Sequence, residues 1–143
     1  MMKDLTLTVS ETIDAQKSTV WNALTDPAMI KEYFFGTETE SDWEEGSSII
    51  FRGSWEGHAY EDKGTILEIE EEKVLTYDFW SSMSGTEDKP ENYATITYQL
   101  NIENGQTILA VTQQGFRDRE AYDHSAESWK TVLSNLKNQV EAH

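Results

Sequence analysis

Apolar and polar residues alternate along much of the chain, and this pattern predicts β-strands. The first alternating stretch covers residues 5–13, and a run of about six further strands is predicted between residues 37 and 115. Alternation with a period of two puts one set of side chains on each face of a sheet. Asn104-Gly105 indicates a tight hairpin before the last strand, because both residues tolerate positive φ. The regular spacing of these stretches favours an antiparallel meander.

Two short helices are predicted after the first strand. Residues 16–25 carry apolar residues at helical spacing, with Asp14 or Ser18 as the candidate cap. Residues 27–33 follow Asp26-Pro27, in which the aspartate can accept hydrogen bonds from free amides and the proline lacks the N–H that would be unpaired. The helical segment is therefore divided at this dipeptide.

A long helix is predicted over residues 119–141, with Asp118 as its cap. Its apolar residues recur every three or four positions and form one face. Since no other segment with this pattern is as long, that face must cover the sheet. We therefore expect a single α+β domain over residues 1–143, with helices on one side of a curved antiparallel sheet of six to seven strands. The residues of the apolar face are Tyr122, Ala126, Trp129, Leu133, Leu136 and Val140.

The charge of the chain restricts the classes of partner. Acidic residues outnumber basic ones by 27 to 11, which gives a formal net charge of −16 at pH 7. Such a charge repels phosphate backbones and anionic lipid heads, so neither nucleic acid nor membrane partners are expected. The lack of cysteine excludes disulfides and thiolate chemistry. Because no apolar run has membrane-spanning length and the start carries no signal-peptide pattern, a cytoplasmic protein is expected.

Aromatic residues are frequent on the faces that the strands and the long helix turn inward. They either fill the space between sheet and helix or line a pocket, and apolar spaces of this kind are common ligand sites. Gln113 on the same face could orient a ligand or satisfy a tyrosine hydroxyl. The candidate ligand-binding residues are Phe34, Phe51, Trp55, Tyr77, Phe79, Tyr98, Gln113 and Trp129.

Four stretches of the sequence resemble a known family. VWNALTDP at residues 20–27 matches its V-W-x-A-L-T-D-P motif, and Tyr33-Phe34 occupies its W-F position. GTILEI at residues 64–69, followed by VLTY at residues 74–77, matches its G-x-V-L-E-I…L-x-Y strand pair. WKTVLSNLK at residues 129–137 matches its W-x-x-V-L-x-N-L-K helix. The chain thus resembles the START-like (SRPBCC, helix-grip) superfamily, in the branch related to the C-terminal domain of the activator of the heat-shock-protein-ninety ATPase.

The resemblance implies a helix-grip fold, in which a curved sheet and the C-terminal helix enclose a cavity. Members of the superfamily include lipid carriers, polyketide cyclases and co-chaperones, so the fold alone does not assign a function. Ser128 stands where the branch often has glycine, and Gln113 stands where it often has histidine. A role that depends on that histidine is therefore not carried over to this chain.

Three functions are compatible with the sequence. The first is non-enzymatic binding of a small, largely apolar molecule in the cavity, by a monomer or a homodimer. The second is a protein-interaction module of the co-chaperone kind, which docks a partner through the acidic clusters at residues 38–45 and 68–72. The third is a cyclase- or hydrolase-type enzyme, with His58 beside Glu61 or Asp62 as an acid–base group. No residue is assigned as catalytic or metal-binding, and no cofactor is expected.

Overall fold

The computed structural model describes residues 2–82, 85–116 and 118–142, apart from the side chains of residues 2–4 and of Trp55. Within these ranges seven strands form one sheet with three α-helices, which confirms the predicted α+β fold. The elements in chain order are β1 (Met2–Ile13), α1 (Lys17–Thr25), α2 (Pro27–Tyr33), β2 (Glu38–Ser41), β3 (Ser48–Trp55), β4 (His58–Glu70), β5 (Val74–Ser81), a 3-10 turn (Pro90–Asn92), β6 (Ala94–Glu103), β7 (Gln106–Phe116) and α3 (Arg119–Glu141).

All neighbouring strands of the curved sheet are antiparallel, in the order β1-β7-β6-β5-β4-β3-β2. The strands β2 to β7 form the predicted meander, and β1 joins it by pairing with β7. Asn104 and Gly105 have φ angles of 53° and 79°, so the predicted hairpin between β6 and β7 is confirmed. Glu56 and Gly57, with φ angles of 50° and 82°, form the turn between β3 and β4.

The helix caps agree with the sequence at two of three positions. The Asp26 carboxylate accepts a hydrogen bond from the Ala28 amide at 3.0 Å, and that of Asp118 accepts one from the Ala121 amide at 2.8 Å. The prediction for α1 is wrong, because its cap is Gln16, which makes no capping hydrogen bond through its side chain. Asp14 lies in a bend before the helix, where its own amide donates to the Glu141 carboxylate at 2.8 Å.

Strand β4 is longer than the sequence pattern indicates. Alternation predicts a strand over residues 65–69, whereas β4 begins at His58. Next to the Glu56-Gly57 turn, Trp55 of β3 pairs with His58 of β4. The pairing of the two strands continues as far as Ser48 of β3 and Thr65 of β4. Gly64 allows β5 to approach closely, because a Cβ at this position would overlap the carbonyl oxygen of Asp78. The additional residues of β4 include Tyr60 and Asp62, which lie on the concave face of the sheet.

Helix α3 packs its predicted apolar face on the sheet, mainly over β1. Trp129, Leu133, Leu136 and Val140 are buried, whereas Tyr122 and Ala126 in the first turns are partly exposed. The apolar face therefore becomes progressively more buried toward the C-terminal end of the helix. In the part of the chain that the structure describes, no helix has the length and apolar character needed to cross a membrane.

Candidate ligand pocket

A cavity of about 410 Å³ lies between the concave face of the sheet and the N-terminal half of α3. It is partly open to solvent, and its walls come from β3 to β6, from α3 and from the chain that follows α2. The space between sheet and helix is therefore not filled by the described side chains. The apolar and aromatic lining residues are Phe34, Phe35, Phe51, Tyr77, Phe79, Ile96 and Trp129.

Aromatic rings in mutual contact form one continuous wall of the pocket. Phe34 stacks on Phe51 with the ring centres 6.4 Å apart, and it meets Trp129 edge-on at 5.9 Å. Phe51 in turn contacts Tyr77 at 5.6 Å. Offset and edge-on contacts at these distances stabilise aromatic pairs. The wall thus joins α2, β3, β5 and α3 through ring contacts.

Five of the eight predicted site residues line the pocket: Phe34, Phe51, Tyr77, Phe79 and Trp129. Tyr98 lies behind the wall, where it contacts the Tyr77 ring at 6.2 Å and the Trp129 ring at 5.8 Å. The side chain of Trp55 is outside the described part of the structure.

Gln113 holds Trp129 in place instead of lining the pocket. Its Oε1 atom accepts a hydrogen bond from the Trp129 indole N–H at 2.7 Å, and both side chains are buried. The sequence interpretation had placed this amide toward a ligand or a tyrosine hydroxyl. A buried indole N–H needs an acceptor, and Gln113 supplies it from the facing strand β7.

Of three buried tyrosines, Tyr77 belongs to the aromatic wall, and Tyr33 and Tyr98 lie beside or behind it. Burial raises the pKa values of Tyr33, Tyr77 and Tyr98 well above the ordinary value for a phenol, so these hydroxyls stay neutral at physiological pH. Tyr33 donates its hydrogen bond to the Ala23 carbonyl at 2.9 Å, which ties α2 to α1. Tyr77 and Tyr98 are in ring contact with each other. These hydroxyls serve the structure of the wall and do not supply charge to the pocket.

The sequence interpretation did not assign the polar side of the pocket to the ligand site. Thr37 and Tyr60 hydrogen-bond through their hydroxyl groups at 2.6 Å, and both line the cavity. The Glu56-Gly57 dipeptide could have predicted this side, because it fits a two-residue hairpin turn. Such a turn starts β4 at His58 and so includes Tyr60 in the strand. The other polar lining residues are Ser54, Asp62, Ser81, His124 and Ser128.

Asp62 is the one carboxylate on the described lining of the pocket. It lies opposite Phe51 on β3 and Ser81 on β5, so these three side chains share the concave face. Burial raises the pKa of the Asp62 carboxyl group above its ordinary value, and a hydrogen bond with Ser81 acts in the opposite direction. The Oδ1 atom is buried and has no hydrogen-bond partner among the described residues.

The acid–base group suggested for His58 is not assembled in the pocket. His58 is exposed at the start of β4 and is not part of the lining. Glu61 belongs to the opposite face of β4, where its carboxylate accepts from Arg52 Nε at 2.8 Å. Of His58 and its two suggested companions, only Asp62 lines the pocket. Among the described residues, no group of three or more histidine and carboxylate side chains has a metal-binding arrangement.

Comparison with known proteins places these features in a wider group. A family model described as "Activator of Hsp90 ATPase homolog 1-like protein" matches residues 14–141. The solution structure of ChR145 from Cytophaga hutchinsonii is 41% identical, with a TM-score of 0.84 over 99% of this chain and 97% of that one. No match was found among curated proteins.

More distant solved structures share the fold. Protein MLL2253 from Mesorhizobium loti is 22% identical, with a TM-score of 0.79 over 96% of this chain and 98% of that chain. The Aha1 dimer from Colwellia psychrerythraea is 18% identical, with a TM-score of 0.76 over 96% of this chain and 95% of that chain. Identities at this level show similarity of fold alone.

Proposed function

The chain belongs to the Activator of Hsp90 ATPase homolog 1-like family, and on that basis we propose that it binds a small, largely apolar molecule without chemical change. The observation that carries the proposal is the cavity of about 410 Å³ beneath α3. Ligand pockets in proteins commonly measure about 300–1,000 Å³ and are lined mostly by apolar and aromatic side chains. The volume of this cavity lies within that range, and its lining is of that kind.

Ring contacts support a pocket that is formed before the ligand arrives. Phe34 bridges α2 to β3 through Phe51 and to α3 through Trp129. The hydrogen bond from Trp129 to Gln113 fixes the indole further. Binding to a preformed site avoids the free-energy cost of ordering side chains. Family membership is compatible with binding and with polyketide-cyclase-like roles. Of the residues suggested for an acid–base group, His58 and Glu61 lie outside the described lining of the pocket.

A fluorescent probe tests the proposal directly. N-phenyl-1-naphthylamine is a neutral apolar molecule whose emission rises when it leaves water. We expect saturable binding, and we expect Ser128→Phe to weaken it at least about tenfold, because the new ring would occupy the pocket. Ser134→Phe on the exposed face of the same helix is the matched control and should leave affinity unchanged. Absence of binding, or equal binding by both variants, would refute the proposal.

Native mass spectrometry of protein isolated gently from its own cells addresses the natural ligand. An extra mass that disappears on denaturation gives the mass of the retained molecule. The Ser128→Phe variant should lack it, and the Ser134→Phe variant should retain it. The same spectrum distinguishes a monomer from a homodimer, a question raised by the dimeric Aha1 structure from Colwellia psychrerythraea.

The second candidate function is a protein-interaction module of the co-chaperone kind. The name of the family favours it, as does the net charge of −16, which would speed encounter with a basic partner. Charge-driven docking weakens as salt screens the surface. Titration of purified Hsp90 with this protein at low and at high salt tests the idea. If neither condition shows binding or a change in ATPase rate, this candidate is wrong.

A further inference from the structure

The described lining of the pocket contains one carboxylate, that of Asp62, whose hydrogen-bonding capacity is only partly used. Asp62 projects from the middle of β4 into the cavity, between Phe51 and Ser81 on the neighbouring strands. Its Oδ1 atom is buried and has no donor among the residues that the structure describes. A buried carboxylate oxygen without a donor is costly to the folded state. Because the Asp62 side chain lines the cavity, a positively charged group bound there would offset this cost through its charge.

The rest of the lining favours a donor that carries positive charge. No lysine or arginine is among the described lining residues, and His124 on α3 is the one lining side chain besides Asp62 and the tyrosines that can ionise. The aromatic wall faces the same cavity, and the faces of such rings attract cations. The net charge of −16 attracts cations to the molecule as a whole and repels anions.

We therefore propose that the pocket takes an apolar molecule bearing one protonated amine, whose ammonium group pairs with the carboxylate of Asp62 and lies against the aromatic wall. This inference rests on the proposed function, because it names the class of ligand for the same cavity. A carboxylate ligand such as a fatty acid would place a second negative charge beside Asp62 and is disfavoured. A neutral alcohol can donate a hydrogen bond to that carboxylate, but an N–H donor with a positive charge makes it about twice as strong.

Three probes with one carbon skeleton test the charge preference. 4-Phenylbutylamine, 4-phenylbutan-1-ol and 4-phenylbutanoate differ only at the polar end, and calorimetry at about pH 8 measures their affinities. We expect the amine to bind at least about tenfold more tightly than the alcohol, and the carboxylate to bind most weakly. In Asp62→Asn the affinity of the amine should fall to that of the alcohol. The alcohol itself should change by less than about threefold, which shows that the pocket is intact.

Control variants separate failure of this inference from failure of the proposed function. Glu61→Gln removes a neighbouring charge on the exposed face of β4 and should preserve the amine preference. If the three probes bind equally and Ser128→Phe abolishes their binding, the pocket is real but the amine inference is wrong. Persistence of the amine preference in Asp62→Asn also overturns it. If no probe binds, or if Ser128→Phe has no effect, both proposals are refuted for molecules of this size.

Discussion

The two halves of α3 cover the sheet in different ways. Toward its C-terminal end, Leu133, Leu136 and Val140 are buried on the part of the sheet formed with β1. Toward its N-terminal end, His124 and Ser128 look onto the 410 Å³ cavity above β3 to β6. We refer to these regions as the packed end and the pocket end. One helix thus contributes both to a close-packed core and to the wall of a cavity.

Side-chain size and polarity account for this difference. The packed end carries branched aliphatic residues at consecutive turns, which interdigitate with the sheet and leave little space. At the pocket end the helix residues that line the cavity include His124 and Ser128, and Asp62 and Ser81 line it from the sheet. In the packed end a polar side chain also binds the sheet, since Lys137 donates to the Thr12 carbonyl of β1 at 2.8 Å. Stability is therefore expected to reside in the packed end, and ligand binding in the pocket end.

The largest expected effect is that of a truncation in the packed end. Leu136 is fully buried, so Leu136→Ala should lower the free energy of unfolding by about 2–5 kcal/mol, through lost burial and the cavity left behind. Phe79→Ala at the pocket end removes a larger side chain that already faces open space, and it should cost less than half as much. Urea unfolding followed by tryptophan fluorescence measures both. Equal losses would contradict the division between the two ends.

Trp129 lies where the two ends meet, and its hydrogen bond gives the next largest effect. Gln113→Leu leaves the buried indole N–H without its acceptor and should cost about 1–3 kcal/mol. In a Trp129→Phe background the same change should cost at least about 1 kcal/mol less, because no donor remains. A double-mutant cycle from urea unfolding provides this coupling energy. A coupling near zero would show that the bond adds nothing to stability.

Asp62→Asn should stabilise the protein, in contrast to the other substitutions. The pKa of the Asp62 carboxyl group is raised above its ordinary value of 3.8 in the folded state. Its ionised form is therefore less stable in the folded protein than in the unfolded chain. The resulting loss of stability grows as the pH rises from about 3.8 through the folded-state pKa. We expect Asp62→Asn to raise Tm by about 2–4 °C at pH 7. The gain should shrink as pH is lowered toward 4. Calorimetry on both proteins measures it, with Glu61→Gln as the control; a lower Tm at pH 7 would contradict the expectation.

The smallest effect compares two lysines on α3. Lys137 in the packed end donates to the Thr12 carbonyl and lies near Glu11 and Glu141, so Lys137→Met should cost about 0.5–1 kcal/mol. Lys130 near the pocket end lies 3.7 Å from the exposed carboxylate of Glu127. Lys130→Met should therefore stay within about 0.5 kcal/mol of the parent protein. Thermal unfolding at low and at high salt measures both, and a larger loss for Lys130 would reverse the comparison.

Local patterns were sufficient to predict most of the fold. Period-two alternation located β5 to β7, and the steps of three and four residues located α3. Capping at Asp26 and Asp118 was correct because a short aspartate side chain reaches only the amides next to it. The cap of α1 was missed because the cap is Gln16, whose side chain makes no capping hydrogen bond and so gives no capping signal in the sequence.

The amino-acid sequence alone determined the elements, the inward aromatic residues and the family, since these depend on spacing along the chain. Only the tertiary structure decided that the rings surround a cavity instead of filling it, because packing depends on distances between elements remote in sequence. It also decided that Gln113 serves Trp129 and that Asp62 enters the pocket. The position of Asp62 follows from the register between β3 and β4. A shift of one residue would turn its side chain to the opposite face of the sheet.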